Sequence, residues 1–374
     1  MNLHDSRSAR LLADLEDLSR AVGVSGAEDE VRRRIVDKLR GFVPADQIET
    51  DTMGNVIVTR PPRAGGDDGT VVMLAAHMDE VGLMISFIES DGTLRFKKVG
   101  GIDDRLLPGK AVRIGPKGVP GVIGVKPIHL QGEDERGRVE EASQLFIDIG
   151  ADSREQAERV VRVGDRAVFE AQWCTMGADG VCGKALDDRV GCTALLELLR
   201  GDYPVTVVGV FTVQEEVGLR GARVAAYRVA PSLAIVLEGT VCADLPGREP
   251  HEEATRLGDG AVLSVMDRSS IAHPELVRVL SGLAERHGIP YQWRRTAMGG
   301  NDAGEIHTAR GGVPSASVSV PCRYIHGPVA LARLRDLEAV VRLVETFLQE
   351  LPETGLLQRL HEERRCEDEP WSRR

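Results

Sequence analysis

Val71-Val72-Met73-Leu74-Ala75 limits the fold of this chain more than any other stretch. The run is apolar at every position. A strand written this way is buried on both faces, and such strands belong to sheets with helices packed on both sides. Val205 to Val213 and Leu233 to Leu237 also read as buried strands, and Ala261 to Val265 and Ser315 to Val320 as further ones. Helical patterns lie between them. They cover Val190 to Leu199, Pro274 to His287 closed by Gly288, a short helix that follows Gly299-Gly300-Asn301-Asp302 and stops at Gly311-Gly312, and a long helix from about Leu331 to Leu351. Upstream, Leu11, Leu15, Leu18 and Val22 recur at helical spacing. Ser25 with Glu28 reads as a capping box for a second helix striped by Val31, Ile35 and Leu39. Strands alternating with helices predict an α/β fold.

The alternation is interrupted once. From about Leu83, strand-like pieces alternate with turns at Asp91-Gly92, Pro108-Gly109 and Gly115-Pro116-Lys117-Gly118. Gln131 to Glu141 reads as an exposed loop and Ser153 to Val163 as one short helix. This β-rich module ends near Trp173. The expected organisation is therefore a discontinuous unit over 1–83 and 173–353, an inserted β-rich unit over 84–172, and a charged, disordered tail over 354–374.

Bulk properties exclude some functions. The 374 residues are 42% hydrophobic, enough for a substantial core, and the net charge of −11 argues against a nucleic-acid partner. No apolar run reaches the roughly 18 residues of a membrane span. Met1-Asn2-Leu3-His4-Asp5 lacks the basic and apolar parts of a secretory signal, and the six cysteines form no CxxC pair or disulfide spacing. These features predict a cytoplasmic protein whose cysteines are core residues rather than ligands.

Four of the strand-like runs are followed by a residue able to bind a metal ion. His77 follows Val71 to Ala75, Glu215-Glu216 follows Val205 to Val213, Glu238 follows Leu233 to Leu237, and His326 follows Ser315 to Val320. Gly183-Lys184-Ala185-Leu186-Asp187-Asp188-Arg189 adds an acidic pair before a helix. Singly, each has a plainer explanation: a helix cap, a solvated pair or a polar loop. Together they stand at the carboxyl ends of strands, where open α/β sheets bind ligands. Two metal ions about 3.5–4 Å apart need a shared carboxylate, terminal ligands on each ion, and a base for the water between them. Asp187 can be shared, His77 and Glu238 can complete one ion, and Glu216 and His326 the other. Glu215 can act as the base, and Asp79 can fix the His77 tautomer. Ligands without thiolates suit zinc, cobalt or manganese.

His77-Met-Asp-Glu-Val-Gly, Gly183-Lys-Ala-Leu-Asp-Asp-Arg, Gln214-Glu-Glu-Val-Gly and Arg323-Tyr-Ile-His-Gly-Pro resemble, in order and spacing, the tetrahedral and glutamyl-aminopeptidase-like metallo-aminopeptidases. The resemblance runs from about Leu11 to Leu351. It implies a mixed-sheet α/β aminopeptidase fold with an inserted PDZ-like dimerisation domain. It also implies two divalent metals, zinc or cobalt, on His77, Asp187, Glu216, Glu238 and His326, with Glu215 as the base and Asp79 supporting His77. The implied activity is removal of N-terminal residues from peptides. The implied state is a homo-oligomer, a dodecamer built from dimers. The family commonly carries Asp where this chain has Glu238, and in related two-metal peptidases Glu there accompanies carboxypeptidase or deacylase activity. A carboxypeptidase or amide deacylase on the same site, and a scaffold that keeps only the fold, are the competing readings. For a carboxypeptidase, Arg189 and Arg323 are the candidates to hold a terminal carboxylate.

Overall fold

The computed structural model describes residues 6–247, 249 and 251–366. Helices Ser6–Arg20 and Asp29–Leu39 lead into three strands, β1 (Ile48–Thr50), β2 (Val56–Arg60) and β3 (Asp67–His77). Six strands follow: β4 (Gly82–Ile88), β5 (Leu94–Val99), β6 (Ala111–Ile114), β7 (Val119–Gly124), β8 (Phe146–Asp148) and β9 (Arg166–Phe169). After a hairpin of β10 (Cys174–Met176) and β11 (Gly180–Gly183) comes the second α/β stretch. It contains β12 (Val205–Thr212), β13 (Leu233–Val241), β14 (Ala261–Leu263), β15 (Tyr291–Trp293), β16 (Ser315–Cys322) and β17 (Ala330–Arg333), then helix Leu334–Glu350.

The main sheet has eight strands in the order β1-β2-β12-β3-β13-β16-β14-β15. Its centre, β12-β3-β13-β16, is parallel, and antiparallel pairings at β2/β12 and β14/β16 make the sheet mixed. The apolar run in β3 behaves as its composition requires. Val72, Leu74 and Ala76 face a core shared with helices Ser6–Arg20, Leu186–Leu198 and Leu334–Glu350. Met73 and Ala75 face Ala222, Ala225 and Ala226 of helix Arg220–Val229 on the other side. Successive residues thus serve opposite layers, and no polar position is tolerated. The parallel register sets Thr212 beside His77 and Glu238 beside Ser319, so the carboxyl ends of the central strands share one edge.

The strands between β3 and β10 close into an antiparallel barrel in the order β4-β5-β8-β7-β6-β9, with its own core of Leu83, Ile85, Phe96, Ile114 and Ile147 among others. A closed six-stranded barrel therefore stands where the PDZ-like module was expected. Within 131–141 the chain forms a short helix, Glu133–Arg136, and the helix expected over 153–163 is only Arg154–Glu158, capped by Ser153.

Four other expectations change. Glu238 lies inside β13 rather than after it. Ser25 and Glu28 do not form a capping box: the Ser25 hydroxyl donates to Asp79 (2.6 Å), and Glu28 accepts from the Gly26 and Gln214 N–H groups. The long C-terminal helix begins at Leu334, because Ala330–Arg333 pairs with β11 as a strand. The tail after Thr354 is helical over Leu356–Cys366, where Leu356 and Leu360, one turn apart, bury an apolar stripe; residues 367–374 lie outside the described residues. Among the described residues no helix is long and apolar enough to cross a membrane.

Candidate metal centre

The shared sheet edge gathers the ligand-type residues. His77 ends β3 and is almost wholly buried, and its backbone N–H donates to Asp188 (3.1 Å). Its Nε2 lies 3.2 Å from Asp187 Oδ1, 3.2 Å from Glu238 Oε1 and 3.9 Å from Glu215 Oε2. Its Nδ1 lies 3.2 Å from the Asp79 carbonyl and 3.4 Å from the Asp79 carboxylate. With Nδ1–H directed at Asp79, Nε2 keeps its lone pair for the cluster. His326 approaches Asp187 from the opposite side, its Nε2 3.3 Å from Asp187 Oδ2 and 3.4 Å from Glu216 Oε1. Asp187 thus offers one oxygen to each histidine. Close approach here depends on Gly239, since a Cβ there would lie 3.1 Å from the Asp187 Cα.

Donor atoms within 4.8 Å of one another form three overlapping groups: His77/Asp187/Glu238, Asp187/Glu216/His326 and His77/Glu215/Glu216. The first two bring together the residues that the sequence reading grouped, and both include Asp187. The chemistry of the donors fits divalent cations. Asp187, Glu215, Glu216 and Glu238 crowd together, and among the described residues no Lys or Arg pairs with any of them. Glu238 Oε2 is buried with no hydrogen-bond partner. Burial pushes the Glu215 and Glu238 carboxyls well up from the ordinary range, against the pull of His77. Burial likewise lifts Glu216 to about 7, with His326 opposing. His326 moves to about 9, because burial, which disfavours its charge, is outweighed by the hydrogen bond to Asp187 and the charge of Glu216. Asp187 moves down: the two histidines outweigh its burial. Such a set is short of positive charge.

The M42 glutamyl aminopeptidase family matches residues 54–343, which include this whole cluster. The chain belongs to that family. It is 34% identical over 338 residues to the lysyl aminopeptidase of Pyrococcus furiosus, covering 88% of this chain and 94% of the relative. The TET aminopeptidase of a marine-sediment Thaumarchaeota archaeon superposes with a TM-score of 0.89 at 37% identity, covering 95% of this chain and all of that one (100%). The Pyrococcus horikoshii TET1 peptidase, which can assemble into a tetrahedron or a large octahedral shell, superposes with a TM-score of 0.82 at 35% identity, covering 91% and 99%. The M42 family is one of aminopeptidases, hydrolases of peptide bonds.

This M42 chain also uses residues that local sequence reading missed. Asp79 does more than face His77: its two carboxylate oxygens accept the backbone N–H groups of Glu215 (2.9 Å) and Glu216 (3.1 Å). One aspartate therefore holds both the histidine and the acidic turn. Asp188 binds the Gly191 and His77 N–H groups and so orients the backbone around Asp187. Asp302 is buried below the cluster on Thr212 (2.5 Å), its carboxyl lifted by burial to about 6. Arg189 and Arg323 are both engaged elsewhere. Arg189 is buried against Leu18 O, Met78 O and Glu80, and Arg323 forms a bidentate pair with Asp244 (2.7 and 2.7 Å). Cys192, Cys242 and Cys322 are buried outside the donor groups, whereas Cys174 is exposed rather than part of the core.

Proposed function

We propose that this chain is a co-catalytic aminopeptidase that removes N-terminal residues from peptides with two divalent cations, zinc or cobalt. The observation that carries the reading is the pair of donor groups sharing Asp187. His77, Asp187 and Glu238 would hold one cation, and Asp187, Glu216 and His326 the other. Bound there, the cations supply Lewis acidity to a water and to the scissile carbonyl.

The protein's own residues do the rest. Glu215 takes the proton of the attacking water on its carboxylate and delivers it to the leaving amine. Asp79 fixes Glu215 through the backbone and fixes the His77 tautomer through Nδ1. Glu238, with one unpartnered oxygen, receives the substrate's free amine.

Glu238 keeps a carboxypeptidase or deacylase in play as the second reading. Its weakness is that Arg189 and Arg323, the arginines expected to hold a terminal carboxylate, are both engaged by the protein. A leucyl peptide compared with its N-acetyl form, in added zinc or cobalt and again with chelator, tests the assignment. The free-amine peptide should be cleaved far faster, and only with metal. Faster cleavage of the acetylated peptide contradicts the reading.

We also propose that the inserted unit over 84–172 is a dimerisation domain that pairs copies of the chain into a cytoplasmic, dimer-based homo-oligomer. Val122, Ile128, Leu130, Val139 and Val163 leave apolar surface exposed in this part of the chain. The similar Pyrococcus horikoshii TET1 peptidase can assemble into a tetrahedron or a large octahedral shell. A monomer by light scattering contradicts this part of the proposal alone.

A further inference from the structure

The hairpin of β10 and β11 sets two cysteines face to face. Cys174 pairs with Cys182 in the antiparallel register, followed by Thr175 with Val181 and Met176 with Gly180. Residues directly opposite in such a pair project from the same face. Val181 faces the core, so its neighbour Cys182 projects from the other face of the strand. There Cys174 is exposed and Cys182 half-buried. Opposite Cα atoms lie roughly 4.5–5.5 Å apart, within the roughly 4.4–6.8 Å that a disulfide spans.

The register is fixed at several points. A Cβ at Gly180 would stand 2.6 Å from Met176 O, and Gly177 turns the chain at a φ of 61°, so both positions need glycine. Asp179 in the same turn forms ion pairs with Arg333 (2.7 Å) and Arg335 (3.3 Å), and its carbonyl accepts the Leu334 N–H (2.9 Å). On the other side of β11, Cys182 pairs with Leu331 and Gly183 with Ala330 of β17. Trp173 packs so closely on Gly183 that a Cβ there would lie 2.7 Å from the indole. The sheet therefore holds the two thiols together, on the strand that leads into Asp187.

The other described cysteines differ in access. Cys192, Cys242 and Cys322 are buried, and burial pushes all three thiols up from their ordinary value. Cys192 Sγ already donates to His77 O (3.1 Å), and Cys242 Sγ lies 3.2 Å from the Thr255 hydroxyl. Among the described residues neither Cys174 nor Cys182 belongs to a group of donors able to hold a metal ion. Burial, then the charge of Cys174 and a hydrogen bond with it, push the Cys182 thiol up. The thiolate is the nucleophile in thiol chemistry, so the accessible Cys174 reacts first and Cys182 follows.

We propose that Cys174 and Cys182 are a reversible redox site that closes into a cross-strand disulfide on meeting a low-molecular-weight disulfide, RSSR. In the first step the Cys174 thiolate attacks one sulfur of RSSR. A bond forms between Cys174 and that half, the RSSR bond breaks, and the other half leaves as a thiolate. In the second step the Cys182 thiolate attacks the Cys174 sulfur and displaces the second half. The two leaving thiolates take up the two protons that the cysteines gave to water. Two cysteine thiols are thus oxidised by two electrons, and one RSSR is reduced to two RSH. Excess RSH runs both steps backwards, so a reducing compartment keeps the pair as thiols.

The test uses the zinc-loaded full chain equilibrated in mixtures of reduced and oxidised glutathione. The thiols are then alkylated with N-ethylmaleimide in denaturant, and the chain is digested with trypsin without reductant. Both cysteines fall in one tryptic peptide, residues 167–184. As oxidised glutathione rises, this peptide should pass from two alkylated thiols to none, two hydrogens lighter than the dithiol. A further cut at Asp179 should leave two halves that separate only on adding dithiothreitol. C182S should instead carry glutathione on Cys174, and C174S should take it up at Cys182 on the order of 10-fold more slowly. Wild type that holds only glutathione adducts overturns the proposal, as does wild type that keeps both thiols in mixtures where C182S is modified. A disulfide joining either cysteine to Cys192, Cys242, Cys322 or another chain overturns it too. Equal rates in the two single variants contradict Cys174 as the first to react.

Discussion

The two halves of the carboxylate cluster share Asp187 but are built differently. His77 sits at the end of a central strand with its side chain 1% exposed, its backbone held by Asp188 and its ring by Asp79. Its companion Glu238 is inside β13. His326 sits in a loop at a left-handed φ of 58°, its side chain 38% exposed, and among the described residues its Nδ1 has no hydrogen-bond partner. The first half is held by the sheet and by Asp79; in the second, Asp79 holds the Glu216 backbone while the His326 ring has no such support. Hydrogen bonds that fix a ligand's ring and backbone strengthen metal binding. We therefore expect a tighter cation on the His77 side and an exchangeable one on the His326 side.

Asp187→Ala gives the largest expected effect. It removes a ligand from both halves, so elemental analysis should find both cations gone and turnover should fall to background. Retention of one tight cation would show that the halves do not depend on a common carboxylate.

Glu215→Gln should cost on the order of 10²–10⁴-fold in kcat while metal content and melting temperature stay near wild type. The amide keeps the shape but accepts no proton. Near-wild-type turnover removes Glu215 from the role of base.

The comparison itself is tested by His77→Ala against His326→Ala. His326→Ala should keep about one cation per chain after desalting, and His77→Ala should keep less. The reverse order would place the tighter site in the loop.

The smallest effect concerns pH. Without metal, His326 at about 9 holds its proton near neutrality and Glu216 at about 7 is about half protonated. Loading the second half must release these protons, so its apparent affinity should rise with pH from about 7 to about 9 and fall below that range. A competition titration with a metal-sensitive dye at several pH values measures this, and a flat profile contradicts it.

The difference between the halves also marks what could be read in the sequence. The central strands were legible because residues buried on both faces must be apolar, as in the Val72 to Ala76 run of β3. The clustered donor residues were legible because such runs end at His77 or Glu215-Glu216, and polar residues there need a reason. Contacts between distant segments were not legible. Ser25 and Glu28 fit a local cap, yet their oxygens serve Asp79 and Gln214. Ala330–Arg333 has helix-compatible residues and becomes a strand only because β11 is there to pair with it. Barrel closure depends on β4 meeting β9, some 80 residues on, which local turn signals do not encode. Cys174 and Cys182 carry no CxxC spacing, and only the hairpin register sets them face to face. Asp302 follows a Gly-Gly-Asn turn that read simply as a helix start, and its burial against Thr212 is a tertiary fact.

The most direct test of the two-cation account is the metal content of the wild-type chain, loaded with zinc or cobalt, desalted, and measured with activity during stepwise chelation. The account predicts two cations per chain, the first removed easily and most activity leaving with it, the second resisting. A single equivalent that sustains full activity, or fewer than about one cation bound, would contradict the paired site at Asp187.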